Sequence, residues 1–325
     1  MRVLITQNFG KGVLREMDVD VPFLREWIAM QAVRNIVAKM GLRCDLPGEP
    51  MLYGLALDEL IGAIAGYESL LKGLMSEHGV SWRDVYEASD VGRERLALAE
   101  EIGVSEDDVV LDVGCDKGYN TVALARGSPM VCGLDLMNGF GRTGWWKNFR
   151  LEMAALGLEG RTTGLRASAA WMPFRDGAFS LSVSNHALRN FEDGATIVGA
   201  LREMGRVTRR GGRVVVAESL PLAKSKAQES HLLMYSFRTR FVKGDNPYYA
   251  GDELVGMFEE AGLEVSRERV LNLEFSAAPP IFILDPARLE PGERADAEAK
   301  YRAAVEMIRR HGESSPPVLL LEAYI

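Results

Sequence analysis

Apolar positions recur with two different periods along this chain. At about 22–40 and again at about 57–78 they follow helical spacing. Further on, short apolar runs alternate with helical stretches, for example MVCGLD at 130–135, FSLSVS at 179–184 and RVVVAE at 213–218. Such runs predict strands, and strands that alternate with helices predict an α/β fold whose sheet is covered on both faces.

The predicted elements follow one another in a regular succession. Strands are expected at about 108–113, 130–135, 163–167, 179–184, 213–218, 265–273 and 317–325. Helices are expected at about 93–102, 120–126, 144–156, 195–207, 251–261 and 293–310. We therefore divide the chain into a helical region at 1–90, a core at 91–284, a helical surface insertion at 285–312 and a final core strand at 313–325. The helical region packs on the core as a layer, covers the substrate, or does both.

The stretch VVLDVGCDKGYN at 109–120 joins an apolar strand to a helix through a turn that contains glycines. Glycines let the backbone approach a ligand closely, and such a strand-turn-helix unit commonly binds nucleotides. The stretch resembles motif I of the class I S-adenosylmethionine (SAM)-dependent methyltransferases. The resemblance implies that the turn contacts the methionine part of SAM, through Gly114, Cys115, Asp116 and Gly118. It also implies that Asp112 accepts from the turn or from the methionine ammonium.

A carboxylate stands at the end of the second predicted strand. Asp135 follows Asp112 by 23 residues, which is close to the spacing of the acid that binds a ribose in nucleotide-binding folds. Its two oxygens suit the two ribose hydroxyls, and Leu136 beside it would join the cofactor site. The alternative role of Asp135 is a simple helix cap.

Two later blocks strengthen the resemblance. The block at 168–188, SAAWMPFRDGAFSLSVSNHAL, resembles the small-molecule branch of the family, which includes quinone and sterol methyltransferases. It implies that Ser168 and Ala169 hold the adenine ring and that Asn185 contacts the cofactor. The block at 201–219 resembles a further signature that we interpret as structural. The implied fold is a Rossmann-like, seven-stranded, mostly parallel sheet with helices on both faces, plus the N-terminal helical region. Its last strand would lie antiparallel beside the fifth.

The chain also departs from the family pattern. Asp116 stands where the family commonly has glycine, and Ser168 stands where it usually has an aspartate. A carboxylate near the methionine carboxylate would repel it, so we expect Asp116 to point away or to meet the ammonium. These departures keep open a non-catalytic protein that binds SAM.

Methyl transfer itself asks mainly for alignment of the acceptor and exclusion of water. A general base is needed only if the acceptor must lose a proton. His186, just after the fourth strand, is the candidate base, and a hydrogen-bonding wall residue is the alternative. An aromatic or anionic substrate is expected to meet aromatic and arginine side chains, namely Tyr119, Arg189, Tyr235, Arg238 and Tyr249. For the segment after the fifth strand, the alternative is an amphipathic helix that packs on the core.

The composition and charge of the chain limit the kinds of partner and cofactor that we expect. The chain has 325 residues and a net charge of −8, which disfavours a grip on long nucleic acid, although arginines at 202, 206, 209, 210 and 213 keep an RNA methyltransferase open. The three cysteines form no close pair, so we expect a reducing cytoplasm and neither disulfides nor a metal site. No apolar stretch predicts a membrane span. A nicotinamide dehydrogenase would want Gly-x-Gly-x-x-Gly after the first strand, which the turn does not supply.

Together, the residues and the resemblance predict a SAM-dependent methyltransferase of small molecules. O- or C-methylation is favoured over N-methylation, SAM is the expected cofactor, and a homodimer is left open.

Overall fold

A seven-stranded sheet forms the centre of the computed structural model, which describes residues 2–4, 16–18, 69, 71–73, 75–136, 145–241, 248–275 and 291–325. Its strands are β1 (Val109–Val113), β2 (Met130–Asp135), β3 (Thr162–Arg166), β4 (Phe179–Asn185), β5 (Thr208–Ser219), β6 (Arg267–Leu271) and β7 (Val318–Tyr324). The order across the sheet is β3-β2-β1-β4-β5-β7-β6. The strands from β3 to β5 pair in parallel, whereas β7 pairs antiparallel with both β5 and β6. The predicted fold class and the antiparallel last strand are therefore confirmed.

Eight α-helices are assigned bounds within the described part of the chain. They are α1 (Trp82–Ala88), α2 (Asp90–Ile102), α3 (Tyr119–Gly127), α4 (Trp145–Ala155), α5 (Gly194–Val207), α6 (Lys226–Phe241), α7 (Gly251–Glu260) and α8 (Pro291–His311). The helix predicted at about 22–40 lies outside the described residues, as does most of the one at about 57–78. A short antiparallel pair, Arg2–Leu4 with Glu16–Asp18, was not predicted.

Strand β5 is longer than the sequence pattern suggests. It begins at Thr208, and Thr208 pairs with Phe179 before a register shift. The residues between Thr208 and Arg213 are arginine and glycine, so no apolar alternation marks them as a strand. Backbone pairing with β4 extends the strand there without help from side-chain pattern.

The core lies on both faces of the sheet, as the near-continuous apolar strands require. One face of the central strands contributes Val110, Leu181 and Val215, which pack with residues of α3 and α4. The other face contributes Leu111 and Val214, which pack with residues of α5 and α7. Successive strands are added on one side of β1 up to β3 and on its other side from β4 onwards, so the strand order reverses between β1 and β4. Open α/β sheets bind ligands in the crevice at such a switch point.

Helix α8 packs along α6. Phe237 and Met234 of α6 form a buried cluster with Ala297, Ala304 and Val305 of α8. The predicted surface insertion therefore supports the helix that follows β5.

Candidate functional site

The turn after β1 is held by its own amides. Gly114 and Cys115 donate their N–H groups to the carbonyl of Leu134 at 2.8 and 3.2 Å. Gly114 has a φ of +75°, and a Cβ there would lie 2.4 Å from the Cβ of Ala187. Gly118 has a φ of +96°, and a Cβ there would lie 2.6 Å from Cε of Met153. Packing within the protein therefore requires glycine at Gly114, whereas at Gly118 the left-handed backbone favours glycine and the flexible end of Met153 would only have to shift.

Asp112 anchors a buried network beneath this turn. Its Oδ1 accepts from Nδ2 of Asn120 at 2.8 Å, and its Oδ2 accepts from the hydroxyl of Thr121 at 2.6 Å. Asn120 in turn accepts at Oδ1 from Nδ2 of Asn185, at 2.8 Å. Burial raises the pKa of Asp112 to about 6. The Asp112 carboxylate thus accepts both hydrogen bonds from side chains in the first turn of α3, which follows the glycine turn.

Asp135 and Asp116 are linked through the backbone. The N–H of Asp116 donates to Oδ2 of Asp135 at 2.9 Å. Asp116 has a φ of +43°, its side chain is 55% exposed, and its carboxylate lies 4.0 Å from Nζ of Lys117. The expectation that the Asp116 carboxylate points away from the cofactor or meets its ammonium group stays a prediction. The half-buried Asp135 stands at the carboxyl end of β2.

The residues expected near the adenine ring lie at the ends of β2 and β3. Ser168 accepts at Oγ from the N–H of Ala170 at 3.2 Å, and Ala169 is buried. The carbonyl of Leu136 accepts from Nε of Arg166 at 3.1 Å, while the Leu136 side chain is exposed. Because Asp135 pairs with Arg166 across the strands, these residues share one edge of the sheet.

His186 is buried between two elements. Its Nδ1 lies 3.1 Å from Oγ of Ser219, at the end of β5, and its Nε2 lies 3.5 Å from Oε1 of Glu94 in α2. Burial and the nearby Arg95 lower the pKa of His186 to about 4, so the ring is neutral at pH 7. Burial alone would raise the pKa of Glu94. The neighbouring Arg95 and His186 nevertheless lower this pKa to about 2.

A cation-aromatic cluster lies beyond the ends of β4 and β5. The rings of Tyr235 and Tyr248 stack with centroids 4.0 Å apart, and the guanidinium of Arg189 lies 5.2 Å from the Tyr248 centroid. Arg238 lies 5.8 Å from the Tyr235 centroid on the same helix, α6. Nε2 of His231 lies 3.0 Å from the Tyr248 hydroxyl. Three of the expected substrate residues are therefore brought together.

The remaining two substrate candidates make other contacts. Tyr249 packs against the apolar cluster that contains Leu220 and Leu254. Tyr119 begins α3, and its carbonyl accepts from the hydroxyl of Tyr86 at 2.6 Å.

Sequence reasoning missed three residues that shape this site: Asn120, Glu94 and Glu218. Glu218 is 2% exposed, accepts at Oε1 from the N–H of Leu188 at 2.7 Å, and lies 3.7 Å from Arg189. A charge at the end of an apolar strand could have signalled Glu218. Glu94 gave no such signal, since only the packing of α2 brings it to His186.

A buried acceptor at this edge fits a cofactor with a donor group. Oδ1 of Asn185 has no hydrogen-bond partner among the described residues, although the side chain is buried. Buried polar atoms are normally paired, so an unpaired one at a ligand-binding edge suits an ammonium or hydroxyl donor. Within the described segments, no group of three or more His, Cys, Asp or Glu could hold a metal ion, and no helix is long and apolar enough to cross a bilayer.

Comparisons with known proteins agree with this geometry. The family described as "Methyltransferase domain" matches residues 111–216. Demethylmenaquinone methyltransferase of Staphylococcus aureus is 30% identical over 195 residues, which cover 54% of this chain and 76% of that protein. Demethylmenaquinone methyltransferase of Mycolicibacterium gilvum is 34% identical over 124 residues, or 38% of this chain. In that second case the match spans about half of the relative, 47% of its length.

A solved structure supports the fold alone. The cyclopropane-fatty-acyl-phospholipid synthase-like protein from Lactobacillus casei superposes with a TM-score of 0.57 at 17% identity. The match covers 74% of this chain and 93% of that one.

Proposed function

Because the chain belongs to the class I SAM-dependent methyltransferases, we propose that it transfers a methyl group from SAM to a small-molecule acceptor by O- or C-methylation. The observation that carries the proposal is the meeting of three strand ends at the switch point of the sheet. There the Gly114 turn, Asp135 and Asn185 converge at one edge. This is the position at which open α/β sheets take a nucleotide-like ligand.

We propose distinct roles for the residues at that edge. Asp135 would accept from the ribose hydroxyls with the oxygen that does not meet Asp116, and Ser168 with Ala169 would border the adenine. The turn at Gly114, Cys115, Asp116 and Gly118 would border the methionine part. Leu136 would pack beside the nucleoside. SAM supplies an electrophilic methyl group on its sulfonium, so the chain has to bind, align and shield the reactants.

Proton removal, where the acceptor is a hydroxyl, is assigned in this proposal to His186. Both ring nitrogens face protein groups, so the proton would travel from the acceptor to the Ser219 hydroxyl, which passes its own proton to Nδ1 of His186. Glu94, 3.5 Å from Nε2, would stabilise the imidazolium that forms. A pKa of about 4 makes His186 a weak base, so the acceptor hydroxyl would lose its proton as its oxygen bonds to the methyl group and becomes strongly acidic.

We propose an aromatic, quinone-like or phenol-like acceptor. Tyr235 and Tyr248 form a stacked aromatic pair beside Arg189 and Arg238, and a planar acceptor that bears an oxygen anion would suit this combination of rings and positive charge. The names of the Staphylococcus and Mycolicibacterium relatives point to the same chemical class.

An RNA methyltransferase is the second candidate, and the arginines that favoured it are largely occupied. Arg206 donates to Asp176 and Glu203, Arg202 donates to the carbonyl of Glu260, and Arg213 donates to the carbonyl of Ile102. Of the five, Arg202, Arg209 and Arg210 are exposed. Three exposed charges make a small patch for a phosphate backbone.

Calorimetry with SAM and with NAD tests the proposed cofactor. SAM should bind the purified full-length chain, and Asp135→Ala should weaken that binding because the ribose loses its acceptor. NAD should give no heat of binding. Tight NAD binding without SAM binding would overturn the proposal.

A further inference from the structure

Two side-chain amides, those of Asn120 and Asn185, connect the carboxylate of Asp112 to the candidate cofactor edge. Asp112 accepts from Asn120, and Asn120 accepts from Asn185, at 2.8 Å each. All three side chains are buried, with exposed fractions of 1%, 5% and 7%. They come from β1, α3 and β4, so the network crosses the switch point of the sheet.

The direction of each hydrogen bond in this network is fixed by chemistry. An ionised carboxylate can only accept, so the amide of Asn120 must turn its NH₂ group to Asp112 and its oxygen to Asn185. That oxygen can only accept as well, so Asn185 must turn its NH₂ group to Asn120. Oδ1 of Asn185 is therefore left as an acceptor, buried and without a partner among the described residues.

We propose that Asn120 is a positioning residue that sets the polarity of Asn185, so that Oδ1 of Asn185 accepts from the α-ammonium group of SAM. This inference rests on the proposed function. With its oxygen held in this orientation, Asn185 makes the site selective for a ligand that has a cationic donor group. An acceptor group of a ligand placed there would face the Asn185 oxygen with no proton between the two atoms. Without Asn120, the Asn185 amide could turn over and present NH₂, which a cation cannot use.

Thr121 provides a matched control. It donates to the same carboxylate at 2.6 Å, through the oxygen that Asn120 does not use. Thr121→Val therefore removes one hydrogen bond from Asp112 while the chain to Asn185 stays intact. Asn120→Ala removes a comparable bond and also breaks the chain.

The test is calorimetric binding at pH 7, where Asp112 is mostly ionised because its pKa is about 6, and where an α-ammonium group still carries its proton. The two ligands are SAM and its analogue with hydrogen in place of the α-ammonium. The wild-type protein and Thr121→Val should bind SAM about tenfold or more tightly than the analogue, as expected for a charge-assisted hydrogen bond in a buried site. In Asn120→Ala this preference should fall to about twofold or less.

Two results would overturn the inference: a wild-type protein that does not distinguish the ligands, or an Asn120→Ala protein that keeps the full preference. Thermal unfolding verifies that each variant is folded, and Asn120→Leu, which keeps the volume of the side chain, replaces Asn120→Ala if that variant does not fold. Failure of the wild-type protein to bind SAM at all would instead overturn the proposed function, so the two failures are distinguishable.

Discussion

At the scale of the residue, the glycines of the turn after β1 make close contacts within the protein itself, independently of any ligand. Gly114 faces Ala187, and Gly118 faces Phe149 and Met153. The sequence predicted that these two positions need glycine, and the reason it gave was close approach to a cofactor. The contacts with β4 and α4 could not be predicted, since they depend on how distant segments pack.

Gly114→Ala should destabilise the fold more than Gly211→Ala does. Both glycines have a φ near +75°, so both variants should lose roughly 1–2 kcal/mol of unfolding free energy from left-handed backbone strain. Gly211 has nothing within 4 Å of the added Cβ, whereas at Gly114 the methyl group would lie 2.4 Å from Ala187. Overpacking should add a further ~1–3 kcal/mol at Gly114, measurable by urea unfolding. Equal losses in the two variants would contradict the packing.

Tyr248 and Tyr249 are neighbours in sequence with different surroundings, and the sequence pattern favoured the second as a substrate residue. The structure stacks Tyr248 on Tyr235 and packs Tyr249 against apolar side chains. Adjacent residues in a segment without regular structure point in directions that no periodicity fixes, so this distinction was beyond the sequence.

Substitution of these tyrosines should therefore have unequal effects. Tyr248→Leu should raise KM for an aromatic acceptor by about three- to tenfold, because the stack and the contact with Arg189 are lost. Tyr249→Leu should change KM by less than about twofold, since leucine preserves the apolar packing. Steady-state kinetics at saturating SAM would measure both. A larger effect at Tyr249 would show that the acceptor lies elsewhere.

At the scale of the element, helix α2 places a buried polar side chain against the ends of two strands. Glu94 of α2 faces His186 at the end of β4, and Ser219 at the end of β5 holds the other ring nitrogen. The sequence predicted α2, β4 and β5 from their apolar spacing. It could not predict that a polar residue of α2 would reach the candidate site, because that depends on the rotation of the helix.

This contact predicts how stability depends on pH. The pKa of His186 is lowered from 6.5 to about 4 in the folded protein, so the unfolded chain binds a proton first as pH falls. Stability from the neutral ring is present above pH 6.5 and is lost as pH falls towards 4. Between pH 7 and pH 5 the wild-type protein should therefore lose about 2 kcal/mol more unfolding free energy than His186→Asn, a variant that tolerates the left-handed backbone. Parallel pH profiles for the two proteins, measured by urea unfolding, would contradict this assignment.

At the scale of the whole molecule, the seven-stranded, mostly parallel sheet and its antiparallel last strand followed from the resemblance and are confirmed. Long apolar strands are easy to recognise in the sequence, because both faces of a parallel sheet are buried and most of its residues are therefore apolar. The packing of α8 against α6 was harder to predict from the sequence. Its buried residues are mostly alanines, at 297 and 304, which give a weak apolar stripe between many charges.

The central claim is methyl transfer from SAM to a small aromatic acceptor, and the most direct measurement is transfer of labelled methyl from SAM by the purified full-length chain. The assay would present quinols, phenols, carboxylic acids and tRNA in parallel, with Asp135→Ala as the control for the cofactor site. The account predicts label on a quinol or phenol and a large loss of transfer in Asp135→Ala. Label on tRNA alone, or equal transfer by Asp135→Ala, would contradict it.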